Sequence, residues 1–398
     1  MRRCVLLVLL ALAGAAPARA ADLPLGPASL DERRVTIAVA PGVAWTRIVR
    51  AGGPWRVHAV TIDREVISGR VTAVLSGDRT HGVQRTSTMA RAHRAPVAVN
   101  GGFSNVTGEP VGALALGGEL VSEPLNGRSS LLLAPAASQR PRIAALRWAG
   151  SVQVGGRARL LDGVDRTRGR IPACGGVGGD SPLEVPNAFV TCRDASELVL
   201  LTPRFGARTG TPADGWEAVV VGGVVRSARR GGNTPIPAEG FVLSGSGDAA
   251  SLLREAARPG TPVTARPWLR AGRERLDPAD FEAISSGGPR LVRDGRVSIP
   301  WRAEGIARAE MVTRAPRTLA GVTAAGRLLL VVADGRRPGW SAGLTLPESA
   351  RVMRALGARD ALSLDGGGST TLVVNGRVVN RPSDGRERAI SDALLVAP

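Results

Sequence analysis

The stretch SLDGGGSTTLVVNG, Ser363 to Gly376, decides how the chain is read. An apolar run ends at Asp365, three glycines follow, and the hydroxyl pair Ser369-Thr370 leads into a second apolar run closed by Asn375-Gly376. Short apolar runs between turn signals read as strands, and Asn-Gly suits a type I′ hairpin because both central residues need positive φ. Glycines in series lose extra backbone entropy on folding, so this triplet implies that something comes close to the backbone. Two readings stay open. Either the N–H groups of Gly366, Gly367 and Gly368 form a concave nest for an anion, with Ser369 and Thr370 adding hydroxyl donors at the rim, or the triplet is a glycine-rich bulge in which Asp365 caps its own turn.

Similar strand ends recur upstream. VNGGF carries Asn100, Gly101 and Gly102; SSGGPRLV begins at Ser285; APRTLAGV carries Arg317; VVADGR carries Asp334 and Arg336. Glycine-softened strand ends bearing Asn, Asp, Arg and Ser are expected to line one polar cleft. Hairpin signals also fall at Gly117-Gly118 and Asp294-Gly295. Helices are fewer. TLPESARVMRALG opens on a capping box, Thr345 with Glu348, and sets Leu346, Ala350, Met353 and Leu356 on one face before Gly357. SGDAASLLREAARPG is a second helix, and a shorter one is expected near Thr88 to Arg94. The sum is a strand-rich α+β chain with a mixed or antiparallel sheet and a few packed helices. No clean boundary divides it, so residues 33–398 are read as a single large catalytic unit, with 280–398 the most diagnostic part. The Gly/Pro/Arg-rich stretch from Leu160 to Thr191 reads as a long stapled loop.

Residues 1–20 have the form of a secretory signal. Arg2 and Arg3 precede the apolar stretch Val5–Leu12, and small residues precede a cut near Ala20. Residues 21–32 then read as a linker. The stretch is too short to span a bilayer and no later one is long enough, so no membrane span is expected. Cys174 and Cys192 remain as an even pair in an oxidising, extracytoplasmic compartment, where a disulfide contributes about 3 kcal/mol. The net charge is +18 with every basic residue an arginine. Arginine for lysine beside heavy Ala, Gly and Pro usage is the signature of a GC-rich genome, and the remaining functional reading is attraction to anionic polymers such as phosphate-containing glycans. Dispersed arginines without a recognition motif point away from nucleic acid.

Three other patterns lose on context. GWSAG, Gly339 to Gly343, matches a nucleophile elbow, but that arrangement needs a histidine later in the chain, and His58, His81 and His93 all come earlier. GSGDAA, Gly245 to Ala250, matches a dinucleotide fingerprint without an acid at the ribose distance. It reads as a strand-to-helix turn capped by Ser246, with room for a phosphate on the helix end. Scattered histidines do not make a zinc site. No cofactor is implied, and a calcium held by carboxylates stays open.

Taken together, AVNGGF near Asn100, SGGPRLVRDGRV from Ser286, PRTLAGVTAAGRLLLVVADGR from Pro316, LGARDALSLDGGGSTTLVVNG from Leu356 and NRPSDGRERAISDALLV at the C-terminus resemble the phosphodiester glycosidases. The resemblance spans nearly all of the mature chain and is weakest between Ala134 and Arg230. Where the family has a second aromatic after NGGF this chain has Ser104, and Leu319 stands where a smaller residue is common.

The resemblance implies hydrolysis of a sugar-1-phosphodiester, of the GlcNAc-1-phosphodiester kind, at the anomeric C–O bond. A phosphomonoester leaves more easily than an alkoxide, so a strong general acid matters less than in ordinary glycosidases. The expected roles are Asp365 as base or nucleophile with Asp334 second, and Arg317 and Arg336 clamping phosphoryl oxygens. Asn100 and Ser369 would orient the substrate, and Gly366 to Gly368 would supply N–H donors. The competing readings are a non-catalytic surface protein binding anionic glycans and a phosphodiesterase cutting P–O.

Overall fold

The computed structural model describes residues 22–398 apart from 28–29, 106, 126, 173, 175–178 and 188–189. The signal expected at residues 1–20 lies outside the described residues. Strand takes 44% and helix 11%, so the chain is strand-rich as the turn chemistry implied.

The backbone of the fold is an eight-stranded sheet in the order Glu32–Ala40, Val43–Arg50, Trp55–Ile62, Leu328–Ala333, Arg317–Thr323, Ala358–Ser363, Arg290–Arg293 and Arg296–Val297. Every neighbour is antiparallel. Its central strand is LLLVVA because both faces are covered. Leu328, Leu330 and Val332 enter one core, while Leu329, Val331 and Ala333 enter another under the helix Leu346–Ala355. A strand packed on both sides reads as a continuous apolar run rather than an alternation. Leu346, Ala350 and Met353 of that helix point into the second core, and Thr345 and Glu348 close the expected capping box.

Opposite the helix, two five-stranded sheets complete the first core. One holds Val97–Asn100 between Leu372–Val374 and Asp392–Ala397; the other holds Ala283–Ser286 between Leu114–Leu116 and Ser129–Leu133. In this last sheet Leu114 and Leu116 face the first core, whereas Ala113 and Ala115 face a further one built around residues 146–276. That further core is roofed by the helix Gly247–Ala256. The expected short helix runs Thr86–Ala92, and the five-residue helix Arg308–Val312 went unforeseen because it buries nothing.

The Gly-Gly, Asp-Gly and Asn-Gly hairpins all form, with Asn375 at φ 47° and Gly376 at φ 75°. Three local expectations need correction. Ser246 starts its helix, but its hydroxyl accepts from Glu197 N; the Ser196 hydroxyl takes the N–H groups of Asp248 and Ala249, leaving no seat for a phosphate. The segment read as linker is docked, with Leu23 and Leu25 in the core and the Arg50 guanidinium bonded to the carbonyls of Leu23, Pro27 and Leu30. The Leu160–Thr191 stretch contains the strands Gly163–Val164 and Ser181–Asn187 rather than loop alone. Cys174 and Cys192 are disulfide-bonded.

Candidate active site

Four strands bring their ends to one place. Asn100 closes Val97–Asn100, Ser286 closes Ala283–Ser286, Arg317 opens Arg317–Thr323, and Asp365 follows Ala358–Ser363 by two residues. The Asn100 amide donates to the Asp365 carbonyl at 2.7 Å, and Asp365 N–H donates to Gly101 O at 3.2 Å. A side chain at Gly102 would run into Ser286 O at 2.6 Å, and one at Gly366 would lie 3.7 Å from Arg317 Cδ. Four of the glycine-softened strand ends therefore meet at a single locus.

Asp365 is partly exposed. Its enclosed carboxyl is pushed up to about 6 by burial, against the Ser369 hydroxyl, the Arg388 charge and the Gly366 N–H, with Asp392 adding to the rise. A group titrating near neutrality is suited to proton transfer at physiological pH.

At Gly366 and Gly367 the turn uses its N–H groups within the fold rather than as a nest. Gly366 N–H turns to the Asp365 carboxylate. Gly367 N–H donates to Pro316 O at 2.9 Å, and the N–H groups of Ser369 and Thr370 close a single 3₁₀ turn on Gly366 O and Gly367 O. Close approach explains the glycines instead. A Cβ at Gly366 would meet Pro316 O, one at Gly367 (φ 60°) would meet Arg336 Nη1 at 3.1 Å, and one at Gly368 would collide with the Arg388–Asp384 ion pair. Ser369 is buried against Asp365, and Thr370 is fully buried, so neither hydroxyl stands at a rim.

Asn100 and Asp334 hold the site from behind. Asn100 is buried; its Oδ1 accepts from Thr318 Oγ1 at 2.7 Å and Thr371 N at 3.1 Å, so its amide does not face substrate. Asp334 is also buried, accepting from Trp340 Nε1 at 2.8 Å, Arg381 N at 2.9 Å and Asn380 Nδ2 at 3.3 Å. Next to it His58 is forced down to about 4 by burial despite the Asp334 charge, which leaves a neutral imidazole bonded to Trp45. Ser341 of the elbow-like motif is buried and donates to Asp334 O at 2.7 Å.

The two expected clamp arginines part company. Arg317 directs Nε to Leu344 O and Nη2 to the carbonyls of Glu310 and Thr313, which anchors the neighbouring loops and leaves Nη1. Burial, with Arg336 nearby, lowers it to about 10. Arg336 is exposed, sits at φ 53° and lies over Gly367 with no carboxylate or hydrogen-bond partner among the described residues.

A groove of about 570 Å³ opens beside Gly102. Phe103, with the Arg128 guanidinium 5.4 Å from its ring, forms one side; Arg302, Glu304 and Glu310 form another, and Cys174 with Thr191 closes the wall. A second, smaller cavity, lined in part by Glu109, Glu123, Asp165 and Arg166, holds about 30 Å³, room for one or two waters. Among the described residues no group of three or more His, Cys, Asp or Glu side chains is arranged to hold a metal ion. No helix among them is long and apolar enough to cross a membrane.

Sequence reasoning missed Asp392 and Arg388. Asp392 is buried and pushed upward by burial; it accepts from Gly102 N at 3.0 Å and Ser391 Oγ at 2.7 Å, and its Oδ2 fills the space of any side chain at Gly101. A lone acid inside the apolar strand SDALLVA was the available signal, because such a carboxylate needs donors.

Where the four strand ends meet, a raised carboxyl on a turn that Arg336 and Arg388 pack against has the groups for acid–base chemistry on an anionic ester or glycoside. The comparisons make the class specific: the sequence model of the phosphodiester glycosidases matches residues 214–397, and over that span the chain belongs to the phosphodiester glycosidase family. The chain is 31% identical over 159 residues to the mouse N-acetylglucosamine-1-phosphodiester alpha-N-acetylglucosaminidase, covering 37% of this chain and 30% of that one. It is 34% identical over 107 residues to the SPbeta prophage-derived protein YomE of Bacillus subtilis, covering 27% of this chain and 16% of that protein. The matches thus span less than a third of either curated relative. A solved Burkholderia pseudomallei structure, of a protein described as exported, superposes with a TM-score of 0.82 at 26% identity over 95% of this chain and 98% of that one.

Proposed function

We propose that the chain is an exported hydrolase that cleaves a sugar-1-phosphodiester at the anomeric C–O bond, releasing a phosphomonoester. The observation that carries this is a difference among three aspartates. Asp334 and Asp392 are buried among fixed donors, whereas Asp365, which accepts from Ser369 and Gly366, stays partly exposed with a pKa of about 6, on a turn over which lies Arg336, an arginine with no partner among the described residues.

In this reading Arg336 receives the phosphoryl oxygens and Arg388 adds positive potential on the other side of the turn, so the departing phosphate needs no strong acid. Ionised Asp365 acts on the sugar side, taking a proton from the attacking water or attacking C1 itself. Asn100 and Asp334 are positioning residues. The Phe103 groove accommodates the sugar, its ring supplying the apolar face beside Ser104. Substrate of the GlcNAc-1-phosphodiester kind is supported by the mouse relative's name together with this charge arrangement.

Hydrolysis of a sugar-1-phosphodiester in oxygen-18 water tests the reading. Label is expected in the sugar hydroxyl, and Asp365→Asn is expected to lose turnover with its fold intact. Label in the phosphate would make the protein a P–O phosphodiesterase, and tight binding without product would make it a glycan-binding protein.

A further inference from the structure

We propose that Arg85, Arg386 and Arg388 form a second anion subsite, one that holds the next phosphate along a polymeric substrate. The proposal rests on the sugar-1-phosphodiester reading and extends it. The substrate is then a glycan with repeated phosphodiesters, engaged at two phosphates at once.

Local strand pairing builds the subsite. Gln84–Arg85 pairs antiparallel with Ala389–Ile390, which sets Arg85 against the loop carrying Arg386 and Arg388. Together with Asp384, Glu387 and Ala389 these residues line a concavity of about 430 Å³. Arg388 belongs to both places. Its guanidinium packs where a side chain at Gly368 would go, and its charge acts on Asp365, so the concavity begins at the edge of the catalytic turn.

Three arginines face two acids in this lining, a net charge of +1. Asp384 holds Arg388 at 2.7 Å, and Glu387 accepts from Ser87 N at 3.0 Å at the start of the helix Thr86–Ala92. Arg85 and Arg386 have no carboxylate partner among the described residues. Exposed arginines are scattered over this basic chain, but these two line a concave surface that shares a residue with the site. Like charges converging on a concavity raise the local potential, and planar guanidiniums match phosphate oxygens in pairs. Arg336 stands over Gly367, so the cationic surface continues from the cleaved phosphate toward the next one.

The test compares a synthetic substrate containing one phosphodiester and a neutral leaving alcohol with an oligomer of the same sugar joined by three phosphodiesters. Arg85→Ala/Arg386→Ala changes surface side chains outside the catalytic turn. It is expected to raise KM for the oligomer by about tenfold, the loss of one or two charge-assisted contacts, and to leave KM and kcat for the single diester unchanged. Salt is expected to weaken the wild type on the oligomer more steeply than the double variant. Equal KM values for oligomer and single diester in the wild type, or an unchanged oligomer KM in the variant, overturn the subsite. Oligomer binding is also measured on Asp365→Asn by calorimetry, which needs no turnover. There, weaker binding after Arg85→Ala/Arg386→Ala supports the subsite even if the wild type hydrolyses nothing, and unchanged binding rejects it.

Discussion

The amide of Asn100 donates to the main-chain carbonyl of Asp365 at 2.7 Å across 265 residues of sequence, while its oxygen accepts from Thr318 and Thr371. One buried side chain thus ties the strand Val97–Asn100 to the strand Arg317–Thr323 and to both ends of the glycine turn. Asn100→Ala would leave a carbonyl, a hydroxyl and an N–H without partners. The expected cost is about 2–4 kcal/mol, read as a lower urea midpoint at constant m. Activity falls with it because the main chain under the carboxyl is released. An unchanged midpoint would mean that water replaces all three bonds, and Asn100 would lose its positioning role.

Gly101 tests the same foundation from the other side. A Cβ there coincides with Asp392 Oδ2, whose position is fixed by Gly102 N and Ser391 Oγ. Gly101→Ala is expected to destabilise by about 3 kcal/mol or more, since main chain or a buried carboxylate must move. Asp392→Ala in the same chain is expected to recover part of that loss. Additive losses in the double variant would show that the clash is not the cause.

The features legible in the sequence were those whose signal is local. The capping box at Thr345 and Glu348 and the Asn375-Gly376 hairpin need only a few residues to act, and both form as expected. Convergence of Asn100, Arg317 and Asp365 was also legible, because glycine beside a polar residue at a strand end marks a close approach wherever it occurs. Which of those polar groups face solvent was not. Asp334 and Asp365 look alike in sequence, each an acid before glycine at the end of an apolar run. Only tertiary packing encloses the first behind Trp340 and Asn380 and leaves the second partly open. The glycine turn shows the same limit. Its triplet announces close approach, but the neighbours turn out to be Pro316, Arg336 and Arg388, which lie far away in sequence.

The elevated Asp365 carboxyl predicts opposite trends in activity and stability. With ionised Asp365 required, kcat/KM is expected to rise with pH through an apparent pKa near 6 and then level off. Asp392→Asn removes a charge that pushes this value up, so the limb moves to lower pH. For stability, a carboxyl whose folded pKa lies above its unfolded value favours the fold while protonated. That contribution is complete below the unfolded value near 3.8 and is lost as pH rises through about 6. Asp365→Asn should therefore be inactive yet more stable than wild type at neutral pH, by about 1–3 kcal/mol after allowing for its partial exposure, with the advantage fading toward pH 4. Equal stability at neutral pH would mean that the carboxyl ionises without cost.

Arg336 separates strain from structure. It holds φ 53°, a left-handed conformation costing an L-residue about 1–2 kcal/mol, and its side chain makes no ion pair or hydrogen bond in return among the described residues. Strain without a local contact that offsets it is expected where a side chain is presented to a ligand. Arg336→Gly relieves the backbone, less glycine's own entropy, and should leave stability equal or raise it by up to about 1 kcal/mol. The same change should lower kcat/KM for a sugar-1-phosphodiester by about a hundredfold, the loss expected for a charged phosphate contact. Arg336→Lys keeps the charge but not the paired geometry and should fall between the two. If Arg336→Gly destabilises the protein and spares kcat/KM, the guanidinium has a structural partner and does not serve the phosphate.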